Sequence, residues 1–560
     1  MKLIFVTGGA ISGLGKGVTS SSIGRLIKSA GKSVGMIKMD PYLQIDAGTM
    51  SPYEHGEVFV TQDGGECDLD IGNYERFTDE NLAKENNITT GKVYQAVINR
   101  ERVGGYLGKT VQIVPHITNE IKEQILETAK NYDFTIIEVG GTVGDIESAP
   151  FLEAIRQMKK DLGKSNVFYM IVAPLLHLSY SGEVKTKLIQ SSVVELRKCG
   201  IIPDAIIYRT EVELEEEIKD KLSRTCDICT DAIIEAKNVS TIYKVPEYFN
   251  SQNLLKLIGN KLEVSDFKAN LNNWNKLVNK ITNPKKEVNI GVVGKYTQFQ
   301  DTYKSISESF IHAGVENNCK VNLVWIDAEK IEKENNVGNE NKVGNENFHS
   351  LQNILKNISG VLIPGGFGNR GVEGKILTVQ YLRENNIPFL GICLGLQVAV
   401  IEYARNKCGL LDANSLEFNE KANNLVIDLM EEQKLITEKG GTMRLGSYEA
   451  KLKKGSLAEK LYKENNHNSP LAPLFTIEGD NLIITERHRH RYEVNSKYHK
   501  ILEEKGLVIS GKSPNRDLAE FIEIKDHKFF IATQSHPEFK SRLEKPHPLF
   551  VGLVKASLDK

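Results

Sequence analysis

Short apolar runs alternating with helical patterns, on both sides of a polar stretch near residue 275, predict an α/β protein of two doubly wound domains. Length supports the division, because 560 residues exceed what one hydrophobic core organises. Each half also opens on an apolar strand pattern that runs into a glycine, as strands entering functional loops do. We place the first domain at residues 1–265, a linker at 266–287 and the second domain at 288–560.

In the first half, strands are expected at Leu3–Thr7, Val34–Met39, Thr135–Val139, Asn166–Val172 and Ala205–Tyr208. After the first comes Gly8-Gly9-Ala10-Ile11-Ser12-Gly13-Leu14-Gly15-Lys16-Gly17-Val18, then a Ser-rich helical pattern. Such glycines let backbone N–H groups converge on phosphate oxygens, the helix start adds positive potential, and Lys16 neutralises the terminal phosphates. The spacing departs from the usual P-loop: five residues separate Gly9 from Gly15, and Gly17 stands where a magnesium-binding hydroxyl is common. Two acids are placed to hold Mg2+ instead. Asp70 lies in an acidic loop, and Glu138 ends an otherwise apolar strand, where an unpaired charge is costly. Lys38, at the end of the second strand, the Lys185-Thr186-Lys187 run and Lys221 add positive charge suited to a second triphosphate.

The second half is expected to carry strands at Val288–Val293, Val321–Ile326, Gly360–Ile363 and Pro388–Ile392, with a helix from about Tyr303. Residues 331–347, which hold a tandem Val-Gly-Asn-Glu-Asn repeat, are too polar to join a core and predict a surface insertion; residues 463–473 predict a second loop. Gly391-Ile392-Cys393-Leu394-Gly395 follows its strand as a nucleophile elbow with sulfur in place of a hydroxyl. A helix beneath Cys393 favours the thiolate, and the Leu394 N–H points where an oxyanion forms. Downstream, His536 is placed to take the thiol proton and Glu538 to fix the imidazole. The Pro364-Gly365-Gly366-Phe367-Gly368 loop supplies the second oxyanion donor, and Arg491 anchors substrate.

The elbow, the Pro-Gly-Gly-Phe-Gly loop and His536-Pro537-Glu538 resemble a class I glutamine amidotransferase domain. Residues 48–60, 441–446 and 486–495 are more particular, and with them nearly the whole chain resembles the CTP synthase family. That resemblance implies a P-loop amidoligase domain fused to a glutaminase. The implied reaction converts UTP, ATP and glutamine to CTP, ADP, phosphate and glutamate through 4-phosphoryl-UTP. Residues Gly13, Leu14, Gly15, Lys16, Gly17 and Val18 would bind ATP together with Asp70, with Mg2+ on Asp70 and Glu138, and Lys16 and Lys38 stabilising the transferring phosphoryl group. Ser12, Lys185, Thr186, Lys187, Leu188, Ile189, Gln190 and Lys221 match uridine-nucleotide positions, and Asp145-Ile146-Glu147 matches the site of product inhibition by CTP. Leu188 and Ile189 depart from the family's Pro-Thr pair there. Glutamine contacts fall on Gly366, Leu394, Gly395, Leu396, Gln397, Glu417 and Arg491, while His55 and Val58 match an ammonia passage. GTP activation at Gly368–Glu373 and a homotetramer are implied likewise.

Bulk properties exclude other classes. A formal charge of −2 gives no general attraction to nucleic acid or anionic membrane. Seven irregularly spaced cysteines do not form a disulfide framework, and Met1–Val6 is too short for a signal peptide core, so a cytoplasmic protein is expected. The alternatives are another glutamine-dependent, ATP-using amidoligase, a P-loop switch with a degenerate second domain, and a nucleotide-dependent filament scaffold. An intact Cys393, His536 and Glu538 argues against the switch.

Overall fold

The computed structural model describes residues 1–178, 180, 182–212, 216–295, 300–334, 349–430, 433, 442–466, 475–479 and 481–559. The tandem repeat lies outside them. The chain forms two compact units, one of residues 1–47 and 67–282, the other of 48–66 and 283–560.

Unit one is built on seven strands: β1 (Lys2–Gly8), β2 (Val34–Asp40), β3 (Asn87–Thr89), β4 (Phe134–Val139), β5 (Val167–Pro174), β6 (Ala205–Thr210) and β7 (Ile233–Lys237). They lie in the order β7-β6-β5-β1-β4-β2-β3, every pairing parallel. Helices cover both faces, so the central strands are continuous apolar runs; every residue of β5 is buried. All five strands expected in this half are present. The short edge strands β3 and β7 were not foreseen: β3 is three residues with Asn and Thr, and β7 has only two β-branched residues before Glu-Ala-Lys.

Residues 266–287 do not form a free linker. Helix Asn272–Thr282 occupies half of them, and its Trp274 is fully buried in unit one. The indole nitrogen donates to the Tyr243 carbonyl at 2.8 Å, and the Arg25 guanidinium lies 4.3 Å from the ring centre. The density of Asn and Lys conceals this helix, although Trp274, Leu277, Val278 and Ile281 lie at helical spacing and Trp274 and Val278 are buried.

Unit two holds a ten-stranded sheet. Its strands are β8 (Lys286–Gly294), β9 (Cys319–Asp327), β10 (Gly360–Ile363), β11 (Phe389–Ile392), β12 (Arg444–Leu452), β13 (Phe475–Glu478), β14 (Asn481–His490), β15 (Leu507–Lys512), β16 (Ala519–Ile524) and β17 (Phe530–Thr533). The order is β9-β8-β10-β11-β17-β16-β15-β12-β14-β13. The five strands from β9 to β17 are parallel, the doubly wound part, and the other five continue antiparallel. This extension was not read from the sequence because β14 ends in Glu486-Arg487-His488-Arg489-His490, a charged run. Glu486, Arg487, His488 and His490 are nonetheless buried, each held by polar partners: His488 Nδ1 lies 2.9 Å from His490 Nε2, and Glu486 2.8 Å from the Tyr462 hydroxyl. Helix Leu457–Asn466 covers the start of the second expected loop, whose remainder at 467–473 lies outside the described residues.

Candidate functional site

In unit one, β1 ends at Gly8 and α1 (Lys16–Ser29) starts after Gly15, so the glycine-rich loop spans the C-terminal edge of the sheet. Gly13 and Gly15 have φ of 75° and 80°, values that favour glycine, and let the loop curl before the helix begins. Lys16 Nζ donates to the Gly141 carbonyl at 2.7 Å. Burial lowers its pKa, opposed by Glu138. Lys38 Nζ sits between Asp70 Oδ2 at 2.6 Å and Glu138 Oε1 at 2.8 Å, with Asp68 Oδ1 3.8 Å away. Burial alone would lower the Lys38 pKa, but Asp70 and Glu138 hold it well above the ordinary value. The second oxygen of Glu138 accepts from the Tyr74 hydroxyl.

The unusual Gly17 has a steric explanation. A Cβ there would lie 1.9 Å from Asp70 Oδ1, so the carboxylate fills the place a serine or threonine side chain would take. Negative charge is in excess: Asp40, Asp68, Asp70 and Glu138 crowd Lys16 and Lys38. Burial, only partly offset by Lys38, pushes the Asp68 carboxyl up to about 7 and raises Asp40 and Glu138 as well. Among the described residues no three acidic, His or Cys side chains already form a closed metal cage.

The cysteine site lies wholly in unit two. Cys393 directly follows β11 and caps the helix Leu394–Asn406, with φ 51° and ψ −102°, a conformation that non-glycine residues rarely adopt. Its neighbours make the turn feasible. A Cβ on Gly395 would lie 2.2 Å from the Ile363 carbonyl oxygen, and one on Gly391 would lie 2.8 Å from the Gly395 backbone. The Cys393 N–H donates to the Thr533 carbonyl at 2.8 Å, tying the elbow to β17. His536 Nδ1 lies 2.7 Å from Glu538 Oε1, and its buried Nε2 has no nitrogen or oxygen partner, leaving the Cys393 sulfur to face it. Burial pulls the imidazole pKa down, but Glu538 and Cys393 outweigh it and raise it to about 10. A Cβ on Gly365 would lie 2.8 Å from His536 Cε1 and 3.5 Å from Cys393 Cβ, so the Pro364–Gly368 loop passes over both.

These groups line a cavity of about 480 Å³, together with Arg491 and the segment Gly56–Val58. Arg491 is oriented by Gln433 Oε1 at 2.7 Å and Thr442 Oγ1 at 2.9 Å. Gln397 is buried and donates to the Tyr492 carbonyl at 3.2 Å.

Comparison with known proteins matches both halves of the chain to a family. The family model described as CTP synthase N-terminus matches residues 2–264, and that described as glutamine amidotransferase class-I matches 298–556. A protein named CTP synthase from Methanocaldococcus jannaschii is 57% identical over all of this chain and 98% of its own length. Its namesake from Methanococcus maripaludis is 56% identical, covering both chains fully, and that from Carboxydothermus hydrogenoformans is 52% identical over all of this chain and 98% of its own. The chain belongs to the CTP synthase family.

Within that family frame, the structure brings together Lys16, Gly17, Lys38, Asp70 and Glu138 in one unit and Cys393, His536, Glu538, Gly366 and Arg491 in the other. Leu394 to Gln397 form the first turn of the helix after the elbow. Glu417 reaches the loop, accepting from the Gly368 N–H at 2.6 Å. Ser12, Asp145, Ile146 and Glu147 are exposed on loops, and Asp145 ties its own turn by accepting from Thr142. Lys185 ends a short hairpin strand, Thr186 caps helix Lys187–Lys198, and Lys221 is exposed on helix Glu216–Cys226. Ile189 differs from its neighbours: its side chain is fully buried in the core, so only its backbone is available to a nucleotide.

Sequence reading missed a second hollow beside the P-loop, of about 170 Å³, lined by Gly15, Val18, Thr19, Arg209, Asn238 and Val239 among others. Arg209 spans its rim, donating to the Ala236 carbonyl at 2.9 Å and to Asn238 Oδ1 at 2.7 Å. No motif marks Arg209, Asn238 or Val239; only the adjacency of β6 and β7 brings them to Gly15.

Proposed function

We propose that the chain aminates UTP to CTP, spending ATP and taking ammonia from glutamine, in pyrimidine nucleotide biosynthesis. The observation that carries this reading is that a cysteine elbow backed by His536–Glu538 and a P-loop with a lysine-filled acid cluster occur in one chain that matches curated family members end to end.

At the cysteine site, glutamine enters the 480 Å³ cavity with its α-carboxylate toward Arg491 and its amino group toward Glu417. The Cys393 sulfur attacks the side-chain amide, and N–H groups of Leu394 and the Gly365–Gly366 segment receive the oxyanion. His536, held by Glu538, hands its proton to the departing nitrogen and later draws one from water as the thioester is hydrolysed. Ammonia so released meets the Gly56–Val58 wall of the same cavity, which supports Val58 as part of its way out. An enclosed way out keeps ammonia unprotonated, since its pKa near ~9 makes it mostly ammonium in neutral water.

At the phosphate site, the Gly13–Val18 turn grips the ATP phosphates and the neighbouring 170 Å³ hollow takes the adenine ring. The excess of carboxylates suits a divalent cation, and Asp70 with Glu138 would hold Mg2+, which supplies charge neutralisation on the phosphates. Lys16 and Lys38 stabilise charge on the phosphoryl group moving to O4 of UTP, and positioning contributes the rest. Ser12, Lys185–Gln190 and Lys221 hold the uridine nucleotide, Ile189 through its backbone. CTP inhibits at Asp145–Glu147, and GTP activates through Gly368–Glu373. The enzyme works as a homotetramer in the cytoplasm; no helix among the described residues is long and apolar enough to cross a membrane.

The test is mass-spectrometric identification of the product from UTP, ATP, magnesium and glutamine. Cytidine triphosphate with stoichiometric glutamate is expected. Glutamate release with a carboxylate acceptor consumed instead of UTP would favour a different glutamine-dependent amidoligase.

A further inference from the structure

The loop that passes over Cys393 is gripped from behind by a lysine to which no step of glutamine hydrolysis assigns a part. Lys295 directly follows β8 and is only 7% exposed. Its Nζ donates to the Phe367 carbonyl at 2.8 Å and to the Gly368 carbonyl. The Gly368 N–H, on the other side of the same peptide, donates to Glu417 Oε1 at 2.6 Å. The peptide between Phe367 and Gly368 is therefore held at both poles, its oxygen by an ammonium and its hydrogen by a carboxylate. Such charge-assisted bonds are about twice as strong as neutral ones. Three of the five residues from Pro364 to Gly368 are glycine, so without a hold this stretch has wide backbone freedom.

Two residues upstream of the held peptide, Gly365 lies against His536 and Cys393, and Gly366 against Leu394. We infer that Lys295 is a positioning residue for glutamine hydrolysis: by pinning the Phe367–Gly368 peptide opposite Glu417 it aims the Gly365–Gly366 amides at the oxyanion formed on Cys393. This rests on the glutaminase reading given above. Lys295 touches no reacting atom and acts through the loop alone.

Charge sets the grip. Burial lowers the Lys295 pKa to about 8, with Glu417 opposing and Arg370 assisting. The other charged groups around it are Glu332 and Glu329, from helix Ala328–Glu334, and Lys375, from helix Val372–Glu384. As pH rises through 8 the ammonium becomes an amine, and the grip weakens toward that of a neutral donor.

The experiment compares full-length wild type with Lys295→Met and Lys295→Arg, assaying glutamate release, CTP from glutamine and CTP from ammonium chloride between pH 7 and 9.5. We expect K295M to lower kcat for glutamate release by about 10²-fold at pH 7, the cost of a displacement on the order of 1 Å. Glutamine KM should move less, and ammonium-driven synthesis should stay within two-fold. K295R should recover part of the lost kcat, and the ratio of wild type to K295M should narrow as pH passes 8. A K295M enzyme with kcat within two-fold of wild type, equal losses with both nitrogen sources, or a ratio that does not change with pH would each overturn the assignment. Absence of glutamate release from wild type itself would instead overturn the glutaminase reading.

Discussion

Lys375 carries a buried amine at a cost that can be measured. It lies on helix Val372–Glu384, is completely shielded from solvent, and its Nζ has no hydrogen-bond partner. Burial, reinforced by Lys295, lowers its pKa from 10.5 to about 7. Because the folded pKa is depressed, the unfolded chain binds more protons between pH 7 and 10.5, and folding stability rises with pH across that window. The penalty is fully present below pH 7 and fades toward 10.5. A change of that size corresponds to about 4 kcal/mol against folding at pH 7 and about 2 kcal/mol at pH 9. Lys375→Met keeps the length and removes the charge, so it should stabilise the unit that contains it. At about 2 °C per kcal/mol for a domain of this size, calorimetry should find its melting transition roughly 8 °C higher at pH 7 and roughly half that at pH 9. A variant that melts no higher than wild type at either pH, or gains equally at both, would refute the reasoning.

Three further outcomes follow from the geometry. Cys393→Ala should abolish synthesis from glutamine while leaving synthesis from ammonium salt within about two-fold, because the sulfur serves only nitrogen release; equal loss of both would break the division of labour. Gly17→Ser should lower CTP formation from either nitrogen source by at least about 10-fold, since its Cβ would meet Asp70 Oδ1 at 1.9 Å and displace the acid from Lys38; glutamate release without nucleotides should persist. Glu538→Gln should destabilise the protein most at low pH. The raised His536 pKa, about 10 against an ordinary 6.5, contributes stability that is complete below pH 6.5 and disappears as pH rises through 10. Urea titrations at pH 6.5 and 9.5 check that the gap to wild type is wider at the lower pH.

Where a strand was long and apolar, or a turn needed glycine, the sequence alone was enough. Val167–Pro174 and Phe389–Ile392 declare themselves through continuous burial, and Gly391 and Gly395 announce the elbow because nothing larger fits beside Ile363 and Ala532. Three features were hidden for separate reasons. Helix Asn272–Thr282 carries a helical period in Trp274, Leu277, Val278 and Ile281, but the Asn and Lys residues between them give the segment the composition of a linker. Strand Asn481–His490 runs against hydrophobic patterning, its buried charges being compensated by partners distant in sequence, such as Glu520 near His488 at 3.7 Å. The Phe367–Gly368 grip joins the side chains of Lys295 and Glu417 to a backbone peptide distant in sequence from both, and no local motif records such a contact.

The assignment of residues 48–66 to the second unit reshapes how the polypeptide can be taken apart. Severing the chain between residues 282 and 283 would not release a finished glutaminase, because the stretch that walls its chamber at Gly56, Glu57 and Val58 would stay behind on the other fragment. Exchange of whole halves between relatives would therefore import a chamber fitted to a foreign wall, and any functional chimaera would have to carry that short stretch along with its partner.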